Sequence, residues 1–96
     1  MSAYSLVLPA DFADHEWEVS AKGCFPNAPV VIGRKRYRVN FYDAVRLGQE
    51  IESGLESGRV FFEPNLVIVR SVTRAEMEAA MDQLVQFGQV TSLTPE

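Results

Sequence analysis

The chain reads as an α+β domain in two layers: a mostly antiparallel sheet of five to seven strands with two helices on one face. Three observations predict this. Strand-like and helix-like periodicities alternate between residues 30 and 88. The middle and the end of the chain match when one is slid over the other by 30 residues. With 96 residues, 47% of them hydrophobic, the chain is large enough for one core and too small for two.

The match by sliding reads as a ββα–ββα pseudo-repeat. Val30-Val31-Ile32 falls on Val60-Phe61-Phe62, Tyr37 and Val39 fall on Val67 and Val69, and Asp43 falls on Thr73. Leu47, Ile51 and Leu55 fall on Met77, Met81 and Val85, and Gly58 on Gly88. A ββα unit cannot bury its apolar faces alone, but two can share one sheet and one core. The single domain, 1–96, accordingly divides into N-terminal strands and a loop (1–29), a first unit (30–58), a second unit (59–88) and a C-terminal strand or tail (89–96).

Each element has a local reason. Ala3-Tyr4-Ser5-Leu6-Val7-Leu8 is a β-prone run closed by Pro9. Trp17, Val19 and Ala21 alternate with Glu18 and Ser20, which predicts a half-exposed strand. Gly23, Pro26, Asn27 and Pro29 punctuate residues 22–29, which predicts a loop. Val30–Ile32 and Tyr37–Phe41 form a hairpin around Gly33-Arg34-Lys35-Arg36, with Tyr37, Val39 and Phe41 facing the core and Arg36, Arg38 and Asn40 facing water or a partner.

Helix one follows, capped by Asn40 or Asp43, with Ala44, Leu47, Ile51 and Leu55 as its buried stripe. Arg59–Glu63 and Leu66–Val72 flank Pro64-Asn65 as a second hairpin. Its strands are apolar on both faces, so they belong at a sheet centre or against a second copy in a homodimer. Thr73-Arg74-Ala75-Glu76 is a capping box that opens helix two, whose stripe is Met77, Ala80, Met81, Leu84 and Val85. Gln89–Leu93 reads as a last strand.

Composition restricts the function. One cysteine, Cys24, allows no internal disulfide and points to a reducing compartment, with the cytoplasm as the expected location. No residue run resembles a secretory signal or a membrane span. His15 is the only histidine, so no paired-histidine metal site is expected. Cys24 lies in Gly-Cys-Phe-Pro without the context of a nucleophile, and phosphate-binding glycine loops are absent. Catalytic residues, metal ligands and cofactors are therefore not expected, and the chain reads as a non-enzyme.

The net charge of −4 is unevenly spread. Residues 22–46 carry six bases against one acid, +5, and the rest carries three bases against twelve acids, −9. A basic segment on an acidic body suits an anionic partner. The expected contact residues are Arg34, Lys35, Arg36 and Arg38 on the hairpin, with Tyr42 and Arg46. The pI of about 4.9 argues against nucleic acid as that partner. The sequence thus predicts a small protein–protein interaction module, of adaptor or inhibitor type, docking an acidic protein surface. The alternative is a small-ligand binder working between helices and sheet, near Trp17 and Phe61. A single-stranded nucleic-acid binder ranks behind both.

Overall fold

A computed structural model describes residues 4–96. The fold is α+β: a mixed four-stranded sheet in the order β1-β2-β3-β4, with three helices. The strands are β1 (Tyr4–Leu6), β2 (Cys24–Ile32), β3 (Lys35–Asp43) and β4 (Leu66–Val69); the helices are α1 (Phe12–Lys22), α2 (Ala44–Glu56) and α3 (Arg74–Gln86). The β1–β2 and β2–β3 pairs are antiparallel, whereas β4 joins β3 in parallel after the α2 crossover.

The hairpin of the first unit forms, and it is longer than the sequence suggests. Ile32 pairs with Lys35, so Gly33-Arg34 is a two-residue connection, with Gly33 at φ 63°. Residues 24–29, expected as a loop, are the first part of β2. Two prolines are accommodated there by two devices. The register shifts between Phe25 and Ala28, which lifts Pro26 and Asn27 out of the ladder, with Asn27 at φ 56°. Pro29 meets β1 only beyond its last ladder pair, where its carbonyl accepts from Val7 N–H at 2.9 Å.

Residues 17–21, expected as a strand, lie in α1. Phe12, Glu16, Val19 and Ser20 form its more buried side at helical spacing, and this pattern overrides the short alternation. Gly23 ends the helix at φ 76°, and a Cβ there would stand 2.7 Å from the Asp43 carboxylate and 2.8 Å from Arg46 Cβ. Only glycine fits this junction, where α1, β2 and the start of α2 meet.

The core forms where the sheet meets α1 and α3. Ala28, Val30, Tyr37, Val39, Phe41 and Val69 from the sheet meet Phe12 of α1 and Met77 and Met81 of α3, with Val72 beside them. Tyr37, Val39 and Phe41 therefore face the core as the alternation of β3 predicts. Phe12 and Phe25 pack edge to face with ring centres 5.5 Å apart.

The second unit departs from the first. Residues 59–63 form no strand, so the expected second hairpin is absent and the pseudo-repeat reduces to β4 followed by α3. The sheet has four strands among the described residues instead of five to seven. Residues 89–92 are a 3-10 helix in place of a strand, and among the described residues the tail adds only an isolated bridge to the sheet, Tyr37 opposite Pro95. The buried helical residues come from α1 and α3 rather than from α2 and α3. Helix α2 has no buried residue: of its expected core stripe, Ala44 is exposed and Leu47 half-buried, while Ile51 is 36% and Leu55 63% exposed.

Candidate functional site

The β2–β3 turn is the most strongly charged exposed feature of the described residues. The tight connection at Gly33-Arg34 pushes Arg34, Lys35 and Arg36 outward, and all three are exposed. With Pro95 and Glu96 they border an open cleft of about 410 Å³. The tail is held there by backbone and side-chain bonds. Glu96 N–H donates to the Arg36 carbonyl at 2.8 Å, and Glu96 Oε1 accepts from Arg38 Nε.

The tail is fixed from the other side by Asn65, at φ 51°. Its amide Nδ2 donates to the Arg38 carbonyl at 3.0 Å and to the Thr94 carbonyl at 2.9 Å, while its Oδ1 accepts from Thr94 N–H at 2.7 Å. One wall of the cleft is thus positioned by hydrogen bonds.

The six expected contact residues separate into two groups. Arg34, Lys35 and Arg36 stay together at the cleft, and among the described residues none of them is in an ion pair. Arg38 is next to them but already paired with Glu96. Tyr42 lies at the other end of β3, about 20 Å from Arg36 at the usual strand rise, and Arg46 follows it in the first turn of α2.

Tyr42 is buried. Its hydroxyl donates to Glu63 Oε1 at 3.2 Å, and its ring meets Phe61 edge-on at 6.1 Å. Burial, followed by the nearby Glu63 carboxylate, pushes its phenol up to about 12. Arg46 pairs with Glu50 at 2.6 Å, and its Nε is buried without a hydrogen-bond partner. Asn40, expected to face water or a partner, is 4% exposed. Its Nδ2 donates to the Pro64 carbonyl at 2.7 Å, and its Oδ1 accepts from Asn27 N–H at 2.9 Å. It joins the β2 bulge to the turn before β4, and the cap of α2 falls to Asp43, which accepts from Arg46 N–H at 2.7 Å.

The remaining candidates are scattered. His15 lies on the outer side of α1 between Asp11 (3.2 Å) and Glu18 (3.6 Å). Cys24 pairs directly with Tyr42 across β2 and β3. Trp17 is 70% exposed on α1, whereas Phe61 packs on Tyr42 at the opposite face, so the two do not share a pocket. Among the described residues no three metal-ligating side chains cluster, and no helix is long and apolar enough to cross a membrane.

The part of the site that sequence reasoning missed is the cleft wall at Pro95 and Glu96. The signal was present in Glu96, an acid near the end of the chain that can pair with the basic strand. No family model, no curated protein and no solved structure matches this chain.

Proposed function

We propose that this chain is a non-enzymatic interaction module that grips an acidic segment of a protein partner with the Arg34–Arg36 turn. One observation carries the reading. Three consecutive exposed cations border an open cleft, and within the described chain no carboxylate is paired with them. The rest of the molecule is strongly acidic. An anionic peptide is therefore attracted to one place and repelled elsewhere, which provides both steering and register.

The cleft is open, which favours an extended acidic segment over an enclosed metabolite. Its volume lies within the roughly 300–1,000 Å³ of ligand pockets, so a small acidic ligand at the same cations is the second reading. A long polyanion such as nucleic acid would extend beyond the turn onto acidic surface. The lone thiol suits a reducing, cytoplasmic setting.

The test is affinity capture from host lysate after nuclease treatment, with the wild type and an Arg34→Glu/Arg36→Glu variant. Among the described residues these exposed side chains make no hydrogen bond or ion pair, so the variant is expected to keep its melting temperature to within a few degrees while losing the captured protein. A variant that captures the same protein as well as the wild type does would remove the turn as the site.

A further inference from the structure

A free sheet edge lies beside the apolar surface that α2 leaves uncovered. β4 is the last strand of the sheet. Asn40 N–H donates to the Asn65 carbonyl at 3.0 Å. By the alternation of a parallel ladder, the N–H and C=O of Leu66 and Ile68 therefore point away from β3. Among the described residues they have no backbone partner outside the sheet. Soluble domains blunt such edges with charge, proline, a bulge or a covering segment. Leu66-Val67-Ile68-Val69 has none of the first three, and Ile68 is 54% exposed.

The uncovered surface continues onto the neighbouring segment. Arg59 N–H bonds back to the Gly54 carbonyl at 2.8 Å, which folds the chain after α2 beside Leu55. Phe61 then packs on Tyr42, the β3 neighbour of Ile68. Val60 and Phe62, on either side of Phe61, are 86% and 80% exposed.

The geometry points to a second copy of this chain as the occupant of this edge, added antiparallel along β4 about a two-fold axis at Val67. The register is self-complementary. Leu66 and Ile68, whose backbone groups face outward, become each other's hydrogen-bonded partners across the axis, and Val67 opposes Val67 of the second copy. Charge agrees with this register. Arg70 is exposed, with no ion pair among the described residues, and in an antiparallel pair the end of β4 that it follows lies beside the start of the second copy's β4, which the segment carrying Glu63 precedes. On the α3 side a groove of about 170 Å³ runs along the edge past Ala79 and Ala80, whose small side chains leave room for an incoming strand.

The result is an eight-stranded sheet with Val60, Phe62 and Leu55 of each copy drawn to the interface. The Gly33-Arg34 turns, at the far ends of the two β3 strands, stay free. If the docking reading holds, the dimer presents two basic turns and binds a partner with two acidic segments by avidity. The dimer itself does not depend on that reading.

Analytical ultracentrifugation over a wide concentration range tests the proposal, with the wild type, Ile68→Lys, and Val67→Cys in a Cys24→Ser background. The expected result is a dimeric wild type, a monomeric Ile68→Lys with unchanged circular dichroism, and an oxidised Val67→Cys locked as a covalent dimer. The last follows from Cα atoms about 4.5 Å apart in such a pair, within disulfide reach. A monomeric wild type would overturn the proposal, as would a dimer that survives Ile68→Lys. Should Ile68→Lys fail to fold, the cysteine variant decides: a dimeric wild type without cross-linking places the interface elsewhere.

Discussion

Tyr42 and Tyr4 set how the molecule responds to alkali. Each phenol is pushed from its ordinary 10.0 up to about 12. For Tyr42 the first cause is burial, then the Glu63 carboxylate; for Tyr4 it is burial, then Asp82. A raised phenol pKa means that the unfolded chain loses its proton first as pH rises, so the folded state binds more protons in that window. Stability from these groups is complete below about pH 10 and is lost as pH climbs towards 12. Melting temperature should therefore fall across that window. Tyr42→Phe should flatten the fall and cost about 1 kcal/mol at neutral pH for the lost hydrogen bond. An unchanged alkaline slope in Tyr42→Phe would show that Tyr42 does not carry the effect.

The residue scale also shows which interactions a sequence discloses. Asp43 as a helix cap was readable, because its partner Arg46 is three residues away. Asn40 was not readable. Its partners Asn27 and Pro64 are 13 and 24 residues away, and they meet it only once the bulge and the turn before β4 are formed. The alternation of β3 put Asn40 on the outer face correctly; what it could not give was the segment that covers that face.

At the scale of elements, the cap of α3 illustrates a local signal completed from a distance. Thr73 Oγ1 accepts from Glu76 N–H at 3.2 Å, as the capping box requires. The reciprocal bond is replaced: Thr73 N–H donates to the Ser71 carbonyl at 3.0 Å. A further free N–H of the helix, that of Arg74, is taken by Glu16 of α1 at 2.6 Å. The negative Glu16 also suits the positive end of the helix dipole. Glu16→Gln should cost about 0.5–1 kcal/mol in denaturant unfolding by removing that charge, and Thr73→Ala about 1 kcal/mol. Equal stability of Glu16→Gln and the wild type would mean that the Glu16 charge contributes nothing at the helix end.

The elements that were misread share a cause. Residues 17–21 alternate over five positions, but the longer 12–23 window has helical spacing and a glycine stop, and the longer pattern wins. Prolines in 26–29 correctly signal that a regular ladder is interrupted; a bulge and the early end of β1 let a strand form around them. The stripe of α2 is a different case. Its periodicity is real, and a helix forms, but periodicity does not say that a surface exists to receive the stripe. α1, unseen as a helix, takes that place beside α3.

For the whole molecule, uneven charge and uneven burial are the two properties that bear on function. The radius of gyration is 13.7 Å, with extents of 44 × 31 × 21 Å. A compact chain of this length would have a radius of about 12.5 Å. The excess agrees with α2 and the segment after it standing off the core with Leu55, Val60 and Phe62 exposed. One end of the sheet thus carries unpaired cations, and a separate edge carries unpaired apolar surface. The composition made the first legible, because six of nine bases fall within residues 22–46. It could not say which would be free. Among the described residues folding uses Arg38 and Arg46 in ion pairs and leaves Lys22 at the end of α1 and Arg34, Lys35 and Arg36 together at the turn.

The most direct measurement of the docking claim is an NMR titration of the isotope-labelled protein with a short aspartate- and glutamate-rich peptide, following backbone amides. Docking at the turn should give saturable shifts concentrated at Gly33, Arg34, Lys35, Arg36 and Glu96 that weaken with added salt. Shifts centred elsewhere, or none at the highest peptide concentration, would contradict it.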